Sequence, residues 1–139
     1  MSLAALTDGV LSVAEHLAAV AHPAAGAVAM FVGQVRDHDP AATGPVVALE
    51  YTAHPDGAAV LARLVDAVAA RDGVLAVAAG HRYGHLPVGE IAVVVAVATA
   101  HRSLAFEVCE ELVEAIKAEL PMWKREILAD GHHVWVGLT

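Results

Sequence analysis

The sequence predicts an α+β domain, with about three helices and a largely antiparallel sheet. Three observations predict it. Strand-like segments rich in Val, Leu and Ala follow one another across short turns, the pattern of antiparallel neighbours. The segments with helical periodicity are few, and each stops at a breaker: Pro23, Gly73 and Pro121. The longest apolar run, Ile91 to Ala100 (IAVVVAVATA), has about half of the roughly 20 residues needed to cross a bilayer. It reads instead as a strand buried on both faces.

In chain order, residues 3–8 form a short strand. Ser12 and Glu15 then make a capping-box pattern, which starts a helix running to about Ala21. GAVAMFVGQVR, 26–36, is a strand, and Gly33 within it marks a bulge or a close backbone approach. DHDPAATGP, 37–45, is a loop, and VVALEYTA, 46–53, a strand. A second helix opens with Pro55 at its first position and Asp56 in its first turn, and stops at Gly73. Leu61, Leu64, Val65 and Val68 share its apolar face, while Asp56, Arg63, Asp66 and Arg71 lie off it. Residues 74–84 form a strand, 85–90 a turn, and 91–100 the buried strand. The third helix starts at Arg102 or Ser103 and ends at Leu120. Its core residues are expected to be Leu104, Val108, Leu112, Ala115 and Leu120, with Glu107, Glu110, Glu111 and Glu114 facing away. PMWKREIL and HVWVGL are two strands joined by the turn ADGH.

The 139 residues suit a single domain, 1–139, with one core. Hydrophobic residues make up 58% of the chain, which excludes disorder as the default state. A net charge of −8 argues against nucleic-acid binding, because phosphate neutralisation needs a basic face. The one cysteine, Cys109, has no internal disulfide partner, and MSLAALTDGVLSVAEH has no basic leader region. Both point to a cytoplasmic, reducing setting.

Only eight residues are Lys or Arg, so their positions carry information. Both lysines of the chain fall in KAELPMWK, at 117 and 124, on either side of Pro121. A reversal or bend at the proline brings the two ammonium groups together at a helix C-terminus. The plainer alternative is that Lys117 complements the helix dipole beside Glu114, and Lys124 is an ordinary edge-strand charge. In TAHRS, 99–103, His101 and Arg102 fall where a buried strand gives way to a helix. Free backbone N–H groups there favour an anion, against the alternative of a solvated Arg and a satisfied His. Arg36 opens a loop with Asp37, His38 and Asp39, which reads as solvated rather than metal-binding. His132-His133 and His81-x3-His85 also lack a second ligand pair at zinc spacing. Cys109, beside Glu110 in mid-helix, reads as packing.

Taken in order, AGAVAMFVGQVRDHD, LEYTAHP, GHRYGHLPVGE, ATAHRSLAFE and KAELPMWKRE resemble the large, catalytic subunit of molybdopterin synthase, from about residue 10 to Trp135. The resemblance implies an α/β-hammerhead type of α+β fold and a homodimer at the centre of a heterotetramer. It implies as partner a small ubiquitin-like sulfur-carrier subunit, whose thiocarboxylated Gly-Gly tail enters the pocket. Two sulfurs then pass to cyclic pyranopterin monophosphate to form the molybdopterin dithiolene, with no bound metal or cofactor required. It implies Lys117 and Lys124 as the active-site lysines; clustered cations and partial burial are expected to lower the pKa of a lysine, with Lys117 the main catalytic group and Lys124 its substrate-orienting partner. Arg36, His101 and Arg102 are implied as substrate-binding residues, the last two serving either their own pocket or a neighbouring protomer's. Two departures stand out: Gln34 replaces a lysine found in some relatives, and the sequence stops at Thr139 without a longer charged tail. The alternative functions are an adaptor that binds a ubiquitin-like tail without catalysis, and a phosphate-binding module built on the AHRS helix start.

Overall fold

The computed structural model describes residues 2–40, 42 and 44–138, so Met1, Thr139 and two positions of the 37–45 loop lie outside the described residues. The elements are β1 (Ser2–Thr7), α1 (Val13–Ala19), β2 (Ala27–Gln34), β3 (Val46–Ala53), α2 (Gly57–Ala69), β4 (Val74–Arg82), β5 (Gly84–Pro87), β6 (Ile91–Thr99), α3 (Arg102–Glu119), β7 (Met122–Leu128) and β8 (His133–Leu138). They form two four-stranded sheets, ordered β1-β4-β6-β2 and β5-β3-β7-β8. Among the described residues, only the β1–β4 pair is parallel. This is the α+β, largely antiparallel arrangement the sequence predicts.

The central strands of the first sheet are covered on both faces. Val77, Ala79, Val95 and Val97 pack under α2 and α3. Ala76, Ala78, Ala96 and Ala98 turn the other way and meet Val20 at the end of α1. The mostly alanine underside lets α1 lie close to the sheet. A Cβ at Gly80 would come within 2.6 Å of the His16 ring. Ser12 caps α1 as expected, its Oγ accepting from the Glu15 N–H at 3.1 Å. The predicted face of α2 is also found, with Leu61, Leu64, Val65 and Val68 all buried.

Three local details differ from expectation. The second helix begins at Gly57, not at Pro55, because the His54 ring accepts from the Asp56 N–H at 3.0 Å and holds 54–56 in a turn. The predicted turn 85–90 contains a short strand, β5, whose Glu50–His85 and Leu49–Leu86 register is supplied by β3. On α3 the buried residues are Ala105, Val108, Cys109, Leu112, Val113 and Ile116, while Leu104 and Ala115 are half-buried at the margins. Val108, Leu112 and the later Leu120 are buried as expected. The true stripe alternates spacings of three and four.

The outer, acidic face of α3 is tied to α2. Arg71 bonds both Glu107, at 2.8 Å, and Glu111, and Arg63 pairs with Glu119 at 3.6 Å. The junction from β6 into α3 is fixed by Gly26, whose N–H donates to the Thr99 carbonyl at 3.1 Å. A Cβ there would lie 2.4 Å from the Ala100 carbonyl oxygen, which is backbone and cannot rotate away. Gly26→Ala is therefore expected to destabilise the fold by about 1–3 kcal/mol, the usual cost of overpacking. Chemical denaturation with the slope held free checks this.

Candidate active site

A cleft of about 600 Å³ opens between the two sheets, beside the C-terminal half of α3. Its chemistry comes from four places in the chain. Lys117 stands on the last turn of α3, where the carbonyl ends of the helix favour a cation. After Leu120 turns to extended backbone, Pro121 leads into β7, and strand alternation puts Met122, Lys124 and Glu126 on the cleft side. Both lysines thus line one cleft, as the bend at Pro121 predicts. Arg36 follows the β2 bulge at Gly33–Gln34. Its neighbours are anchored, the Val35 N–H to the Glu90 carbonyl at 2.9 Å and the Asp37 carbonyl to the Val46 N–H at 2.9 Å. Arg36 is held at the cleft between them. Gln34, where some relatives carry a lysine, also lines the cleft.

Lys117 and Arg36 are exposed, and Lys124 is half-buried. Among the described residues, no ion pair includes either lysine, Arg36 or Arg102. The pairing of Lys117 with Glu114 is not formed. Burial pulls the Lys124 ammonium below the ordinary lysine range. Glu126 pulls it back up, while Lys117 pushes it further down. The expected depression of a lysine is thus found at Lys124.

Sequence reasoning missed three cleft residues. Glu126 is only 4% exposed, and burial, together with a hydrogen bond to Asp39, holds its carboxyl above the usual carboxylate range. Its signal was the i, i+2 spacing from Lys124. His81 ends the inward stripe Val77, Ala79, His81 of β4 and is buried at the cleft wall. Tyr51, edge-on to His81 at 5.2 Å, has its phenol pushed up to about 12, chiefly by burial.

His101 and Arg102 do not join this cleft. They are exposed at the opposite end of α3, which rises about 22 Å between Arg102 and Lys117. His101 is the N-cap residue and makes no side-chain cap bond, and the first turn carries no acid. Its backbone is fixed by Thr99 Oγ1, which donates to the His101 carbonyl at 2.6 Å. That helix start has the polarity to take an anion, away from the lysines of its own chain.

An α+β fold whose two sheets enclose a cleft lined by lysine, arginine and a buried acid defines an enzyme-like domain that handles anionic groups. The family described as MoaE protein matches residues 6–119. Molybdopterin synthase catalytic subunit 1 of Mycobacterium tuberculosis is 40% identical over 137 residues, covering 95% of this chain and 88% of the relative. The crystal structure of molybdopterin synthase from Staphylococcus aureus superposes with a TM-score of 0.85 at 30% identity, covering 95% of each chain. A chain of the complex of subunits 1 and 2 of molybdopterin-converting factor from Helicobacter pylori shares the fold, with a TM-score of 0.74 at 22% identity over 96% of this chain and 89% of that one. The chain belongs to the MoaE family, the catalytic subunits of molybdopterin synthase. It is an enzyme of molybdenum cofactor biosynthesis. Among the described residues, no helix is long and apolar enough to cross a membrane.

Proposed function

We propose that the cleft is a sulfurtransferase site, in which a thiocarboxylate at the tail of a small ubiquitin-like carrier subunit donates sulfur to cyclic pyranopterin monophosphate. The observation that carries this reading is the lining of one cleft by Lys117, Lys124 and Arg36 in a chain of net charge −8. Donor and acceptor are both anions, and bringing them together needs fixed positive charge in a partly dry site. Lys117, exposed at the helix end, meets the incoming thiocarboxylate and the oxyanion that develops from it. Lys124 lies deeper, and its depressed pKa suits it to giving and regaining a proton. Arg36 holds the phosphate. The two-subunit Helicobacter pylori assembly supports a carrier partner of this kind.

His101 and Arg102 fit this scheme as phosphate-binding residues of a neighbouring protomer's cleft in a homodimer. Their position far from Lys117 on the same helix supports that assignment. Lys117→Ala and Arg102→Ala are each expected to be inactive. A mixture refolded together is expected to regain about a quarter of wild-type turnover, because random pairing gives half mixed dimers with one intact site each. No recovery would place Arg102 in its own chain's site, and an active Arg102→Ala would place it outside catalysis.

The test of the function itself is reconstitution. The purified chain is mixed with a thiocarboxylated carrier and cyclic pyranopterin monophosphate, and molybdopterin is read from its fluorescent oxidation product. Carrier binding without product would leave an adaptor. Binding of simple phosphates with no need of a carrier would leave a phosphate module.

A further inference from the structure

We propose that His81 is the general base of the cycle, taking a proton from the water that cleaves the acyl–sulfur linkage between carrier and pterin. This rests on the sulfur-transfer reading above and adds to it the residue that resolves the covalent intermediate.

The placement comes first. His81 continues the β4 stripe that begins with the buried Val77 and Ala79, at the point where the helix layer gives way to the cleft. Backbone pairing to Leu6 on one side and Val93 on the other leaves the strand no slack. The residue is 9% exposed. An imidazole in an apolar stripe is costly to bury unless it is hydrogen-bonded. Here Nδ1 lies 2.9 Å from the Arg82 carbonyl, which can only accept, so Nδ1 carries the hydrogen. The tautomer is thereby set, and Nε2 keeps its lone pair. Among the described residues, the ring's protein hydrogen bond is made through Nδ1 alone. Tyr51 stands edge-on at 80° and holds the ring plane.

The charges around it keep the ring neutral. Burial is the main cause of a pKa below the ordinary histidine value, and Lys117 from α3 and Lys124 from β7 add to it. The Arg82 carbonyl opposes them. Tyr51 on β3 is a neutral phenol, held so by its own raised pKa. The β2 and β6 neighbours at the cleft, Phe31 and Val93, are apolar. Glu126, Asp39 and Arg36 line the same cleft around Lys124. An ammonium has no lone pair with which to accept a proton from water, whereas a neutral imidazole with a fixed acceptor nitrogen does. His38 also lines the cleft but is exposed on the loop.

The step balances with water alone. The O–H bond breaks and its proton goes to Nε2. The hydroxyl oxygen bonds to the acyl carbon. The carbon–sulfur bond then breaks, and its electron pair stays on sulfur as a thiolate facing the lysines. The carrier's new carboxylic acid and the imidazolium each release a proton to solvent.

The experiment is single turnover of the chain with its thiocarboxylated carrier, comparing wild type, His81→Asn, His81→Gln and His38→Gln. Asn keeps a donor for the Arg82 carbonyl and removes Nε2, so the fold, checked by thermal melting, is expected to survive. His81→Asn is expected to form the first carbon–sulfur bond, accumulate a carrier–pterin adduct visible by mass spectrometry, and release product about 10²–10⁴-fold more slowly. The wild-type profile should fall on the acid side below pH 6.5, as the imidazole protonates, and that limb should vanish in the variant. Release within a few-fold of wild type with the limb retained would overturn the proposal. So would transfer of the limb to His38→Gln, or loss of linkage formation and hydrolysis together in a folded His81→Asn. No product and no adduct from wild type would overturn the sulfur-transfer reading itself, and this one with it.

Discussion

Lys117→Ala is expected to lower product formation by about two or more orders of magnitude, the scale of losing a positioned electrostatic or acid–base group. The fold should be unchanged. Lys117 is exposed and contributes to no core cluster, and its removal at the end of α3 forfeits only a dipole interaction worth about 0.3–1 kcal/mol. The loss should appear in kcat more than in carrier affinity, because the oxyanion exists only as sulfur transfer proceeds. Lys117→Arg should also fail. A guanidinium is planar and forked where the lysine is a compact point charge, so it does not occupy the same place. Reconstituted turnover beside a melting curve decides it. Activity within a few-fold of wild type would remove Lys117 from the mechanism.

Lys124→Met is expected to separate activity from stability in opposite directions. Turnover should fall at least about 100-fold, as for loss of a proton-transfer group. The melting temperature should rise. A folded-state lysine pKa below its unfolded value of 10.5 means that the fold disfavours the charge. At neutral pH the group is charged in both states, and the full cost is present. As pH climbs from the depressed value towards 10.5, the folded state binds fewer protons than the unfolded one, and wild-type stability recovers. The advantage of the methionine variant should therefore be greatest near neutrality and shrink in alkali. Glu126, already held above the usual carboxylate range by burial, keeps its proton more readily once the ammonium is gone. Melting curves at several pH values check the sign. A Met variant that melts lower than wild type at neutral pH would mean that the ammonium is held by more attraction than Glu126 and Asp39 supply.

Much of the fold was legible because local rules and burial agreed. Ser12 caps the helix it precedes, and Leu61, Leu64, Val65 and Val68 form the buried face of α2. The run 91–100 is a strand covered on both sides. Cys109 packs. What escaped depended on partners distant in sequence. β5 is four residues long and ends in proline, so its strand character comes from pairing with β3. On α3 the expected Val108, Leu112 and Leu120 are buried, while Val113 and Ile116, buried where that helix borders the cleft, lie outside the expected set. For the site, two lysines around one proline leave convergence and two ordinary surface charges both open, and it is the ordered family motifs that favour the convergence found in the cleft. Glu126 gives no signal in the sequence beyond its spacing from Lys124, and His81 only that of a weak metal pair, since an acid and an imidazole in inward strand positions look like noise in an apolar pattern until the cleft beside them is seen. His101 and Arg102 at the start of a helix that ends beside Lys117 are already separated from it by the helix rise, which is why the resemblance leaves open whether they serve their own pocket or a neighbour's.

α3 has a consequence beyond its own packing. It is a stiff rod braced along its outer side by Arg63 and Arg71, with an anion-attracting start and an amine-bearing finish. In the proposed homodimer each rod would furnish the amine of one reaction chamber and the phosphate clamp of the other. The two chambers would then share their calibration. Bending or shortening one rod would detune both, and an inhibitor wedged against its midpoint would silence a pair of sites while touching neither.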